Sequence, residues 1–200
     1  MRELTNTEEK ILDKALYLIG KTSSFNVPIR MIAKEAGVNV SAINYYFHSK
    51  EEMLRLVKEF YIDNTIEAYS VLDHNDYTEE EKVVRCANEI MEYTLKYPGI
   101  ITILKEAART QEENQTSAKI MKISNQCNER LDGYLAKVFN GDSLTLQYKR
   151  MIFLSSILHP TIHFDLESID VSLINTKDQR LNYIKFIINQ LNSNTLFKTY

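Results

Sequence analysis

A chain of 200 residues carries 24 Lys and Arg against 27 Asp and Glu, a formal charge of −3, which excludes attachment to nucleic acid by bulk charge alone. Five Gly, three Pro and hardly any strand-like alternation point to an all-α fold. No apolar run approaches the roughly 20 residues that span a bilayer, so no membrane partner is expected. Cys86 and Cys127 are too few and too far apart for a disulfide framework and read as buried thiols in a reducing compartment. The start MRELTNTEEK lacks the apolar segment of a secretion signal, and a soluble cytoplasmic protein is expected.

The first helix is predicted to begin at Thr5 or Asn6. Thr5 and Glu8 have capping-box spacing, and Ile11, Leu12, Ala15, Leu16, Leu18 and Ile19 form one apolar stripe. The stretch from Val27 to Lys50 then holds two short helical patterns separated by a sharp break. Ile29, Ile32, Ala33 and Ala36 share a face, with Pro28 predicted as the first helical residue and Gly37 as the stop. Asn39, or more weakly Ser41, caps the second helix, whose buried side is Ala42, Ile43, Tyr46 and Phe47. Two helices joined by about four residues with Gly in the turn form a helix-turn-helix pattern.

The segment IAKEAGVNVSAINYYFHSKEEML resembles the DNA-binding segment of the TetR (tetracycline-repressor) family of bacterial regulators. The resemblance implies a three-helix head over about residues 1–49, and a helical domain over 50–200 that pairs two subunits and binds a small-molecule effector. It implies a homodimer on a pseudo-palindromic double-stranded DNA operator, acting as a repressor that the effector releases. It puts DNA-facing side chains at Arg30, Asn39, Val40, Ser41, Asn44, Tyr45 and Tyr46, and a phosphate-contacting lysine at Lys50. The chemistry suits these roles: Arg can hold guanine and Asn adenine through paired hydrogen bonds, while tyrosine hydroxyls and Lys suit phosphate oxygens. Pro28, Asn44, Tyr46 and Ser23 depart from the residues common in the family at those positions, so the operator cannot be carried over from relatives.

Further on, Ser49 is predicted to cap a long helix from Lys50 to about Leu72, and Thr78 with Glu81 to open the next, which Pro98–Gly99 ends. A short helix from Ile100 to about Thr110 follows, then one carrying Ile120, Ile123, Cys127, Leu131, Tyr134 and Val138. Ser143 is predicted to cap a very apolar helix running through Leu158, and Thr176 with Gln179 to open the last. Met151, Leu154 and Leu158 leave little polar surface on their helix, so a second subunit is the expected cover. With Ile184, Ile187, Ile188 and Leu191 they form the predicted dimer interface, in the two final helices through which the family pairs. The implied effector pocket draws on mixed aromatic, Met and thiol positions: Met91, Tyr93, Tyr97, Met121, Cys127 and Phe153.

His159 and His163 have a spacing that could hold zinc, with Asp165 and Glu167 nearby, but Pro160 between them favours a plain helix end, and no metal or cofactor is expected. No phosphate loop, nucleophile elbow or paired Cys motif points to catalysis, so the chain is not expected to be an enzyme. The alternative to a ligand-responsive regulator is an architectural DNA-binding protein with the same head and no effector.

Overall fold

The computed structural model describes residues 4–97, 99–162 and 170–193, and among them every regular element is helical. These are α1 (Asn6–Thr22), α2 (Ile29–Ala36), α3 (Val40–Phe47), α4 (Lys50–Ser70), α5 (Glu79–Lys96), α6 (Ile100–Thr110), α7 (Gln115–Val138), α8 (Ser143–Ile162) and α9 (Lys177–Asn192). Short 3₁₀ turns follow α4 at Val71–Asp73 and precede α9 at Val171–Leu173. The all-α expectation holds throughout the described residues.

Local chemistry sets most helix starts. Thr5 accepts from the Glu8 amide at 3.3 Å while its own amide donates to the Glu8 carboxylate at 2.8 Å, a complete capping box. Thr78 with Glu81 and Thr176 with Gln179 repeat the arrangement. Ser49 caps α4 through the Glu52 amide at 3.0 Å. Two predicted starts are corrected. Asp142, one residue before Ser143, caps α8 by accepting from the Thr145 amide at 2.8 Å. Pro28 has extended backbone (ψ 134°) and stands just before α2 rather than inside it.

The chain divides into two compact units: residues 1–66 with 96–125, and residues 67–95 with 126–200. In this division residues 50–66 of α4 and all of α6 fall with the head helices, beyond the 49/50 border expected from the sequence. The reason lies in two long-range contacts within the first unit. The Tyr97 hydroxyl donates to the Asp13 carboxylate on α1, and Gly99 lies so close to Gly20 that a Cβ there would collide with the Gly20 backbone. The unit's core is built from Ile11, Leu12, Ala15, Leu16 and Ile19 of α1 together with Ile32, Ala33, Ile43 and Phe47, all buried.

The second unit has its own core, in which Val83, Val84 and Met91 of α5, Leu131 and Leu135 of α7, Phe153 and Ile157 of α8 and the inner face of α9 are buried together. Pro160 lies inside α8, which continues to Ile162 instead of ending at the proline. A proline cannot donate to the carbonyl four residues back; here that acceptor, Ser156, receives the Tyr183 hydroxyl from α9 at 2.9 Å. Arg180 of α9 is buried, with Nε donating to Asn88 at 3.0 Å, Nη1 to the Ile174 and Asn175 carbonyls and Nη2 to Glu92 at 2.5 Å.

The residues expected at the dimer interface differ in burial within the protomer. Ile184, Ile187, Ile188 and Leu191 are buried against the protomer's own α5, α7 and α8. Leu154 and Leu158 are half-buried against the same core. Of the predicted set, only Met151 is largely exposed, at 62%.

Candidate nucleic-acid interface

The site begins with how α2 and α3 are stopped and started. After Ala36, Gly37 turns into left-handed backbone (φ 64°), and the Gly37 and Val38 amides donate to the Lys34 and Ala33 carbonyls. That pair of bonds is the glycine-ended stop of a Schellman motif. Two residues later the Asn39 side chain accepts from the Ala42 amide at 2.7 Å and opens α3. The predicted cap is thus Asn39 and not Ser41.

α3 is eight residues long, roughly 12 Å at 1.5 Å per residue, and amphipathic in an uncommon way. Ile43 and Phe47 are fully buried and lock its inner side, while Ala42 and Tyr46 are half-buried. Ser41, Asn44, Tyr45 and His48, spaced as one helical face, are exposed, and Tyr45 is 76% accessible. Tyr45 and Tyr46 meet edge to face with ring centroids 5.2 Å apart, which stiffens the pair. Arg30 on α2, with Asn39 and Val40 at the start of α3, is exposed as well. All eight residues singled out in the sequence therefore keep accessible area, Tyr46 and Lys50 only in part.

Lys50, the first residue of α4, is half-buried, and its Nζ donates to Asn26 Oδ1 at 3.4 Å. Asn26 was not singled out by the sequence, because a partner 24 residues away leaves no local signal. His48 was also missed. It has a positive φ of 60°, and the Ser49 amide donates across it to the Phe47 carbonyl at 2.6 Å. This tight reversal, a strained backbone for a residue with a Cβ, joins α3 to α4. A side-chain-bearing residue between Phe47 and the cap Ser49 was the available clue.

Chemically, the outer face of α3 offers an amide able to pair with adenine, hydroxyls for phosphate and an apolar Val40 edge. A single helix of this width fits a major groove of about 12 Å.

Of the six residues predicted for an effector pocket, Tyr97 and Met121 belong to the first unit and Met91, Tyr93, Cys127 and Phe153 to the second. Met91 and Phe153 are fully buried core of the second unit, and Cys127 is buried. Burial raises the thiols of Cys86 and Cys127 above their ordinary range. Tyr93 and Met121 are half-buried, and Tyr97 is committed to Asp13 in the first unit. His159 lies in α8, and His163, Asp165 and Glu167 fall outside the described residues. No helix among the described residues is long and apolar enough to cross a membrane.

Comparison with known proteins bears on this geometry. The family described as bacterial regulatory proteins, tetR family, matches residues 11–57. A Bacillus subtilis (strain 168) protein described as "Probable HTH-type transcriptional regulator YttP" is 31% identical over 91 residues, which is 44% of this chain and 44% of that protein. The match thus spans less than half of that relative. Among solved structures, a TetR-like transcriptional regulator from Rhodococcus sp. RHA1 is similar at a TM-score of 0.61 and 12% identity, over 94% of this chain and 97% of that one. The fatty acid degradation regulator FadR from Bacillus halodurans is similar at a TM-score of 0.60 and 15% identity, over 98% and 100%. At these identities the structural likeness is one of fold.

Proposed function

We propose that this chain, whose residues 11–57 match the tetR family of bacterial regulatory proteins, is a regulator of that family that reads an inverted-repeat DNA site as a homodimer and acts as a repressor that a small molecule releases. The observation that carries the DNA-binding half is the outer face of α3. Ser41, Asn44 and Tyr45 stand exposed on a helix whose inner face is locked by Ile43 and Phe47. Such a face costs little to order on binding, which favours base contacts over flexible attachment. Between Asn26 and Lys50 three cations face one acid, so a moderate salt dependence is expected, with few phosphates neutralised.

The homodimer reading keeps Met151 from the interface expected in the two final helices and adds exposed neighbours on the same helices. Leu144, Tyr148, Met151 and Ile152 of α8 are exposed and recur at spacings of four, three and one, a single apolar stripe, and Phe186 of α9 is 60% exposed. Apolar side chains gathered this way on one exposed helix face favour a surface that is covered in the assembled state. Regulators of this family act as dimers, and two recognition helices one DNA turn apart require a two-fold partner.

The direct test is selection of bound fragments from random duplex DNA at about physiological salt, with the Asn44→Ala, Tyr45→Ala double variant run alongside. Recovery of an inverted repeat by the unaltered chain and its loss in the variant is expected. Enrichment of the same repeat by both proteins would remove α3 from the reading face.

A further inference from the structure

We propose that the second unit holds a binding site for a small zwitterion of about the size of a free amino acid, in a cavity of about 220 Å³. Its walls include Glu67 and Ser70 in the last turn of α4, Arg85, Asn88 and Glu89 on α5, and Lys177 at the first position of α9. None of the residues from which the sequence suggested an effector pocket lines it.

The size and the charge arrangement both narrow the ligand. Drug-sized sites enclose roughly 300–1,000 Å³, so this cavity suits a smaller molecule. Two cations and two carboxylates share the lining, and among the described residues no ion pair joins any two of these four. Opposite charges that border one space without closing on each other leave both signs available. A simple anion would meet the carboxylates of Glu67 and Glu89, a simple cation would meet Arg85 and Lys177, and an apolar ligand would satisfy none of the four charges. A molecule carrying a carboxylate and an ammonium satisfies both sets at once.

The walls are also held in place. The Arg85 guanidinium lies over the Tyr77 ring, 4.2 Å from its centroid. Asn88 is fully buried; its carbonyl oxygen accepts from Arg180 and its amide donates to Glu89 at 3.1 Å. Because Arg180 is itself buried and fixed by two backbone carbonyls and Glu92, the orientation of Asn88, and through it of Glu89, is set before any ligand arrives. The binding itself needs no DNA. That occupancy alters DNA affinity rests on the regulatory reading above: Glu67 and Ser70 end the same continuous helix that Lys50 begins.

The test uses the full chain in thermal unfolding with each of the twenty L-amino acids at 10 mM. At about ten times Kd a site of this kind raises the Tm of a 200-residue chain by about 3–6 °C. At least one amino acid is expected to do so, while its amino-alcohol and N-acetyl analogues, each lacking one charge, do not. Lys177→Met and Glu67→Gln each alter an exposed side chain outside the core, so their own Tm should stay within about 1 °C of the unaltered protein. Both should lose the ligand-induced rise. No rise with any of the twenty, an equal rise with the single-charge analogues, or a rise that survives both substitutions would overturn the proposal. The affinity for a selected DNA repeat is then measured with and without the amino acid that binds. A change of about five-fold or more makes the site regulatory, whereas unchanged DNA affinity with intact binding leaves the site standing and removes its regulatory role.

Discussion

α3 and α8 spend their outer faces in opposite ways. α3 shows solvent Ser41, Asn44 and Tyr45, groups that lose nothing in water and can trade it for base edges or phosphate. α8 shows Leu144, Tyr148, Met151 and Ile152, groups that gain only when water is removed. Both helices obey the same rule inward, where Ile43 and Phe47 in one and Phe153 and Ile157 in the other are fully buried. The inner faces pack alike into the fold, and the outer faces differ in chemistry, polar and wet on α3 and apolar on α8.

Two substitutions separate what α8 and α9 do for the protomer from what they offer a partner. Ile188→Ala empties a site fully enclosed by the protomer's own core and is expected to cost about 2–5 kcal/mol of unfolding free energy, read by denaturant titration at low protein concentration. Met151→Asp sits on the exposed stripe. It should leave unfolding at that concentration almost unchanged while raising the dimer dissociation constant by about a hundred-fold in sedimentation measurements, the usual scale for losing a central apolar anchor. A dimer unaffected by Met151→Asp would mean that the stripe is not the pairing surface.

Asn44→Ala tests the polar face in the same spirit. Loss of a paired contact to one base is expected to weaken binding of the selected DNA by about 1–3 kcal/mol and to relax preference at one position of each half-site. The dimer should be unchanged, because Asn44 is exposed on a helix of the first unit and the α8 stripe belongs to the second.

Much of this contrast is legible in the amino-acid sequence, because it is local. Capping boxes at Thr5, Thr78 and Thr176 depend on residues three apart, and Gly37 and Asn39 punctuate the turn by themselves. The assignment of α9 is not legible there. Ile184, Ile187 and Ile188 announce an apolar face, but periodicity does not say whether the cover is the same chain or another. The unit border is hidden for a related reason: Tyr97 reaches Asp13 across 84 positions, and the glycine pair at 20 and 99 has no pattern of its own. Pro160 misleads as a helix end because the donor that replaces its missing amide comes from another helix.

The Tyr97–Asp13 contact also sets a pH response in the first unit. Burial alone would raise the Asp13 carboxyl, but hydrogen bonds from Tyr97 and Lys96, with the charges of Lys96 and Lys14, outweigh it and hold the group below its ordinary 3.8. A carboxyl lowered on folding adds stability that is present above its unfolded value and is lost as the pH falls through the folded one. Acid unfolding below about pH 4 should therefore be less steep in Asp13→Asn than in the unaltered chain, followed by helical signal from about pH 6 to about pH 2. Equal slopes would mean that Asp13 gains nothing from its partners.

The smallest effect compares two stops of the same design. α1 ends as α2 does, with the Ser23 and Ser24 amides donating to the Gly20 and Ile19 carbonyls, yet the left-handed position is filled by Ser23 (φ 49°) instead of glycine. A residue with a Cβ costs about 1–2 kcal/mol in that conformation, whereas glycine adopts it freely but loses more entropy on folding. Ser23→Gly should net about 0.5–1 kcal/mol of stability, or about 1–4 °C in Tm. Gly37→Ala should lose a similar amount, and for the same reason alone, since a Cβ at Gly37 would find only Lys10 Nζ at an ordinary 3.7 Å. A lower Tm for Ser23→Gly would show that the exposed serine side chain contributes more to the stop than its backbone strain removes.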